Sequence, residues 1–114
     1  MTALGTHKKK YIFSCAGIVE ERHVIQVAER IIYLAGMTPA RPGRVDPYPY
    51  RGGGGEGYTA FFPLMESFLI MDVYTDIGET EILLSTCKPE RVNLEALRNY
   101  LSCQIGEVKE VGVL

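Results

Sequence analysis

Three apolar, strand-like runs follow one another with only short connections between them, and this feature most constrains the fold. The runs are Tyr58–Met65, Phe68–Tyr74 and Glu79–Cys87. Their length and their content of Phe, Ile, Leu, Val and Tyr favour β-strands. The first two are joined at Glu66-Ser67, and a turn at Asp76–Gly78 joins the second to the third. Such short connections are typical of antiparallel hairpins, so the sequence predicts a mostly antiparallel sheet.

Two helices are predicted on either side of these strands. The first, near residues 20–35, ends at Gly36, a good C-terminal cap, and Pro39 prevents much continuation. Its apolar residues recur at helical spacing: Val24, Val27, Ala28, Ile31, Ile32 and Ala35. The second, near residues 93–103, begins at the N-cap residue Asn93. It carries Leu94, Leu97 and Leu101 on one face.

The order of elements predicts an α+β fold. Strands are also expected at Tyr11–Ile18, at Glu107–Val113 and, as a short edge strand, around Arg41–Val45. Strand runs broken by two helices favour a two-layer sandwich with both helices on one face of the sheet. The periodicity predicts burial of Ile12, Val27, Ile31, Phe61, Leu69, Leu83, Leu97 and Leu101. Residues 46–57 are rich in Gly and Pro and are expected to form a flexible loop.

Length and composition narrow the possible classes of protein. The 114 residues predict one domain, 1–114, with a single core. A net charge of −2 gives no electrostatic footprint for nucleic acid, and no apolar run approaches the ~20 residues of a membrane span. The three cysteines are widely spaced and odd in number, which favours free thiols and a cytoplasmic location. The spacing of Cys, His and Asp predicts no metal site.

The segment from Gly57 to Cys87 resembles the processing region of the S-adenosylmethionine decarboxylase family, small prokaryotic type. The matching residues keep the family's spacing without a gap: Thr59, Glu66, Ser67, Gly78, Thr86 and Cys87. In that family a serine cuts its own backbone and becomes a pyruvoyl cofactor. The resemblance implies an S-adenosylmethionine decarboxylase-like sandwich and a homodimer. It also implies a substrate such as S-adenosylmethionine or a related amino acid, used in polyamine synthesis.

The resemblance also implies a role for each matching residue. Ser67 corresponds to the pyruvoyl precursor, and Glu66 provides the new carboxyl end after cleavage. Thr59 stands where the family has a serine whose hydroxyl assists processing. Cys87 corresponds to the thiol that returns a proton to the substrate after loss of CO2. We therefore expect Ser67 and Cys87 to lie close together, beside a concave site edged by the 46–58 loop.

Two residues depart from the family pattern. Phe68 and Asp72 stand where the family has histidines. A carboxylate at Asp72 can act as a base, but it cannot carry positive charge near a developing oxyanion. The sequence therefore predicts slow or absent self-cleavage, with Asp72 as the main reason. Two alternatives to a decarboxylase stay open: a non-processing homologue that binds a small molecule, and a regulatory partner subunit.

Overall fold

The computed structural model describes residues 8–49 and 56–114, which form six strands and two helices. The elements are β1 (Lys9–Ala16), α1 (Val24–Leu34), β2 (Arg44–Pro49), β3 (Glu56–Leu64), β4 (Ser67–Tyr74), β5 (Glu79–Thr86), α2 (Leu94–Gln104) and β6 (Glu107–Val113). Short 3₁₀ turns at Glu21–His23 and Pro89–Arg91 precede the two helices. No helix among these residues is long and apolar enough to cross a membrane.

The strands form one antiparallel sheet in the order β2-β3-β4-β5-β1-β6. The predicted meander β3-β4-β5 is confirmed, and Gly78 adopts a φ of 67° at its second turn. Most residue types avoid this left-handed region, whereas glycine enters it without steric cost. β1 lies between β5 and β6, so strands far apart in sequence close the sheet. The predicted α+β architecture is confirmed.

Both helices pack on one face of the sheet and bury its alternate residues. α1 buries five apolar side chains, and α2 buries Leu97 and Leu101. The largest sheet side chains that are fully buried are Phe13, Leu69, Met71, Ile82 and Leu84. Burying each such side chain stabilises the fold by roughly 1.5–3 kcal/mol. As predicted, Asn93 caps α2, because its Oδ1 accepts a hydrogen bond from the Ala96 amide at 3.0 Å.

Three residues that were predicted to be buried lie on the opposite face of the sheet, here called the open face, and are less buried than predicted. Phe61, Ile70, Leu83 and Ile12 stand in one register row across β3, β4, β5 and β1. Phe61 is 39% exposed, so the prediction that it is buried is wrong. Ile12 and Leu83 are only half-buried. The helices cover the other face, so within the described residues these side chains pack against neighbouring strands.

The Gly/Pro-rich stretch is more regular than the sequence predicts. Residues 46–49 belong to β2 and residues 56 and 57 to β3, so the prediction of a flexible loop is wrong for both ends of the stretch. The predicted edge strand is real but runs over Arg44–Pro49 rather than 41–45. Pro47 and Pro49 are tolerated because β2 is an edge strand with one unpaired side. Residues 50–55 of the predicted loop lie outside the described part of the chain.

Candidate active site

The β3–β4 turn is the centre of the candidate site. It consists of Met65 and Glu66, and Leu64 pairs with Ser67 across it. Neither turn residue has a positive φ, so the turn is not one of the types that two-residue hairpins prefer. The segment 38–40 lies beside this turn, where the Met65 amide donates to the Thr38 carbonyl at 2.8 Å. The turn is therefore held by a neighbouring piece of chain as well as by its own strands.

Glu66 is fixed through both its main chain and its side chain. The Cys87 amide donates a hydrogen bond to the Glu66 carbonyl oxygen at 3.1 Å. On the side chain, Oε1 accepts from the Thr38 amide at 2.9 Å, and Oε2 lies 3.3 Å from Arg91 Nη1. The Glu66 side chain is only 10% exposed. A donor therefore already points at the carbonyl that precedes Ser67.

Ser67 makes a hydrogen bond that strand alternation alone does not predict. Leu69, Met71 and Val73 face the helices, and alternation assigns Ser67 to the same face. Its Oγ nevertheless donates to Ser85 Oγ at 2.9 Å. Ser85 is fully buried and stands opposite Phe68 in the register, not opposite Ser67. The hydroxyl of Ser67 is thus directed diagonally towards β5.

Cys87 lies next to the turn and is exposed. Its amide contact with Glu66 brings it beside the Glu66-Ser67 peptide, as expected for these residues. Cys15 differs from it, because Cys15 is fully buried and burial raises the pKa of its thiol to about 11. A thiol with such a pKa stays protonated and unreactive near neutral pH. Of these two cysteines, only Cys87 has both access to solvent and a place beside Ser67.

Thr59 and Asp72 form a separate pair farther along the sheet. Thr59 Oγ1 donates to Asp72 Oδ1 at 2.6 Å, and the two residues are register partners on β3 and β4. β4 keeps a regular register with both neighbours from Ser67 to Tyr74. Asp72 is five residues beyond Ser67, which corresponds to about 17 Å at the ~3.4 Å rise of an antiparallel strand. This spacing keeps the Asp72 carboxylate away from the Ser67 hydroxyl in the uncleaved chain.

The sequence-predicted residues therefore fall into two groups. The turn cluster comprises Glu66, Ser67 and Cys87, with Ser85 as an additional member. The carboxylate pair comprises Thr59 and Asp72. The sequence predicts a single site for these five residues, and the structure separates two of them from the other three.

Three residues at the turn were missed from sequence: Thr38, Ser85 and Arg91. Ser85 carried a usable signal, because it interrupts the apolar run Ile82–Leu84 and a buried hydroxyl needs a partner. Thr38 and Arg91 carried none, since both reach Glu66 from segments more than twenty residues away. No local pattern predicts such contacts.

The turn cluster brings three reactive groups close together. These are the Ser67 hydroxyl, the Glu66 carbonyl with the Cys87 amide as hydrogen-bond donor, and the thiol of Cys87, an exposed residue. Within residues 8–49 and 56–114, no group of three or more His, Cys, Asp or Glu side chains is placed to hold a metal ion.

Fold and site together define a two-layer α+β sandwich with a serine at a hairpin turn, and comparison with known proteins agrees at the level of the fold. The adenosylmethionine decarboxylase from Aquifex aeolicus VF5 is a similar solved structure, with a TM-score of 0.65. The similarity covers 94% of this chain and 86% of that one, at 14% sequence identity. No family model and no curated protein matches the chain. At this identity the likeness establishes a shared adenosylmethionine decarboxylase-like fold.

Proposed function

We propose that this protein is a pyruvoyl-dependent decarboxylase of S-adenosylmethionine or a related amino acid, and that it cleaves itself slowly between Glu66 and Ser67. One observation carries the proposal: the Cys87 amide donates a hydrogen bond to the carbonyl of Glu66, the residue that directly precedes Ser67. The shared fold with the Aquifex aeolicus decarboxylase supports the same assignment.

The proposed self-cleavage uses atoms of the turn cluster. Ser67 Oγ bonds to the Glu66 carbonyl carbon, the peptide C–N bond breaks, and the Oγ proton ends on the Ser67 nitrogen. Negative charge develops on the Glu66 oxygen during the attack, and the Cys87 amide is placed to stabilise it. Loss of the Ser67 Cα proton and cleavage of the Cβ–Oγ bond then release the Glu66 carboxylate. Hydrolysis of the dehydroalanine that remains releases ammonia and leaves the pyruvoyl group.

After processing, the pyruvoyl group supplies an electron sink for loss of CO2 from an amino-acid substrate. Cys87 would then return a proton to the substrate from Sγ. Its exposure and its position next to Glu66 suit this role. Glu66 would remain anchored as the new carboxyl end, because Thr38 and Arg91 hold its side chain independently of the peptide bond to Ser67.

A second candidate function is a non-processing homologue that binds a small molecule or regulates a partner subunit. The observation in its favour is the position of Asp72, which lies about 17 Å along β4 from Ser67 and accepts a hydrogen bond from Thr59. His23 offers no substitute because it lies at the start of α1, while His7 lies outside the described residues. The cation beside the turn, Arg91, is paired with the Glu66 carboxylate, so attack on the Glu66 carbonyl lacks the stabilising group that a histidine would supply.

Denaturing mass spectrometry of the freshly prepared protein separates the two candidates. A decarboxylase precursor gives fragments 1–66 and 67–114 over time, and the second fragment carries a blocked pyruvoyl end. The Ser67→Ala variant, which lacks the nucleophile, is the matched control and must remain whole. A wild-type chain that stays intact over days, even with added hydroxylamine to capture the ester, would contradict the decarboxylase and favour the homologue.

We also propose that two copies of the chain associate through their open faces. The row formed by Ile12, Phe61, Ile70 and Leu83 leaves apolar side chains half-buried or exposed. Covering them removes apolar surface from water, which favours association. A symmetric pair would bury the same row on both copies.

A further inference from the structure

We propose that Ser85 is a positioning residue that orients the Ser67 hydroxyl for attack on the Glu66 carbonyl. This inference rests on the proposed function, since it assigns a role in the self-cleavage step. It starts from one contact, the 2.9 Å hydrogen bond from Ser67 Oγ to Ser85 Oγ. Nothing in the resemblance to the decarboxylase family assigns a role to Ser85.

The burial of Ser85 shows that its hydroxyl has a specific partner rather than solvent. Ser85 is 0% exposed, and Ser67 is its one side-chain hydrogen-bond partner among the described residues. A buried hydroxyl without a partner is costly, so the bond to Ser67 is favoured in the folded chain. Ser85 also stands between Phe68 and Lys10 in the register of the sheet, which fixes its main chain on both sides.

The bond restricts where the Ser67 oxygen can point. The 2.9 Å contact with a buried hydroxyl holds Ser67 Oγ in one orientation, towards the part of β5 that leads into Cys87. A nucleophile must present a lone pair to the carbonyl carbon, and orientation of this kind lowers the barrier to attack. In the proposed step the Ser67 hydroxyl proton passes to the Ser67 nitrogen as the C–N bond breaks. Ser85 remains chemically unchanged.

The end of β5 therefore positions both reacting groups, the Ser67 hydroxyl and the Glu66 carbonyl. Ser85 holds the nucleophilic oxygen through its side chain, and Cys87, two residues later, holds the electrophilic carbonyl through its amide. Because both contacts come from one short stretch of chain, the relative position of the reacting atoms follows from the local geometry of β5. Sites supported in this way by regular elements are held more accurately than sites on loops.

The test compares Ser85→Ala with Ser85→Thr in the full chain. The control is Thr80→Val, which removes another fully buried β5 hydroxyl whose bond goes to the Gly17 carbonyl at 2.8 Å. Formation of fragments 1–66 and 67–114 is followed over time by denaturing mass spectrometry, with and without hydroxylamine. We expect Ser85→Ala to slow cleavage at least about 10-fold, because small misplacements of reacting groups cost up to ~10²-fold. Ser85→Thr keeps the hydroxyl and should retain most of the rate, as should Thr80→Val.

A second readout does not depend on cleavage. In a double-mutant cycle, Ser67→Ala, Ser85→Ala and the double variant are unfolded with denaturant. The Ser67–Ser85 bond should appear as a coupling of roughly 2- to 10-fold in the unfolding equilibrium constant, the range for one hydrogen bond.

The outcomes separate failure of this inference from failure of the proposed function. Absence of coupling overturns the inference whatever the chain does. Coupling together with slower cleavage of Ser85→Ala supports it, whereas cleavage of Ser85→Ala at the rate of Thr80→Val overturns it and leaves the proposed function standing. If the wild-type chain never cleaves, the proposed function fails. Ser85 then has no reaction to assist, so the inference fails too, even if the coupling energy shows that the Ser67–Ser85 bond exists.

Discussion

Replacing Asp72 and Phe68 separately by histidine tests which of the two departures from the family pattern limits self-cleavage. Asp72 is about 17 Å along β4 from Ser67. At an effective dielectric constant of about 20, a unit charge at that distance changes the energy of the transition state for attack on Glu66 by about 1 kcal/mol before screening. A Debye length of about 8 Å at physiological salt reduces this to roughly 0.1 kcal/mol. We therefore predict that Asp72→His alone changes the cleavage rate less than about twofold.

Phe68→His places an imidazole much closer to the reacting carbonyl. Phe68 follows Ser67 directly and stands opposite Ser85 in the register. Two residues along the chain from Glu66 correspond to about 6.6 Å, so a protonated imidazole there contributes about 2.5 kcal/mol at the same dielectric constant and roughly 1 kcal/mol after the same screening. These energies equal a rate increase of roughly 5- to 50-fold if they act fully on the transition state. The sequence-based expectation that Asp72 is the main obstacle is thus replaced by a prediction centred on Phe68.

The assay is denaturing mass spectrometry of Asp72→His, Phe68→His and the double variant, with Ser67→Ala added to each as an uncleavable control. Rates are compared at pH 5.5 and pH 8, because an unperturbed histidine has a pKa of about 6.5. The gain from Phe68→His should be largest at pH 5.5 and mostly lost at pH 8. A tenfold gain from Asp72→His alone would refute the distance argument and require Asp72 to reach the turn. If no variant cleaves faster, the obstacle lies in the backbone geometry at Glu66-Ser67.

Three further predictions concern stability, reactivity and assembly. Tyr58→Phe removes the buried hydrogen bond to the Val19 carbonyl and should lower the free energy of unfolding by about 1 kcal/mol in urea titrations. Burial, aided by the charge of Glu21, raises the pKa of Tyr58 in the folded chain. The wild-type chain should therefore lose stability as the pH rises above about 10, where the tyrosine of the unfolded chain ionises. Tyr58→Phe should lose less stability over the same range, and equal losses would contradict this explanation. Iodoacetamide at pH 8 should alkylate Cys87 but not Cys15 until the chain is unfolded, as peptide mass mapping will check. Sedimentation equilibrium should give about twice the 12.7 kDa chain mass for the wild type and the single mass for Ile70→Asp, while a monomeric wild type would rule out the dimer.

The sequence by itself determined the local elements and hence the fold class. Strand runs with short connections give the β3-β4-β5 meander, and Asn93 and Gly36 mark helix ends that the structure retains. These features depend on residues close in sequence, where alternation, helical periodicity and capping act directly. The β3–β4 hairpin is also predictable from sequence, because apolar strand runs flank a short polar connection, although its turn is Met65-Glu66 rather than Glu66-Ser67.

Only the tertiary structure decided which face of the sheet the helices cover and which predicted residues meet. Alternation assigns Phe61 and Leu83 to one face but cannot say that this face is left open, because that depends on the packing of α1 and α2. The contact between Ser67 and Ser85 runs diagonally across the register of β4 against β5, and the ~17 Å separation of Asp72 from the turn holds because β4 keeps its register from Ser67 to Tyr74. Register is set by pairing along the whole length of two strands, so no short motif encodes it.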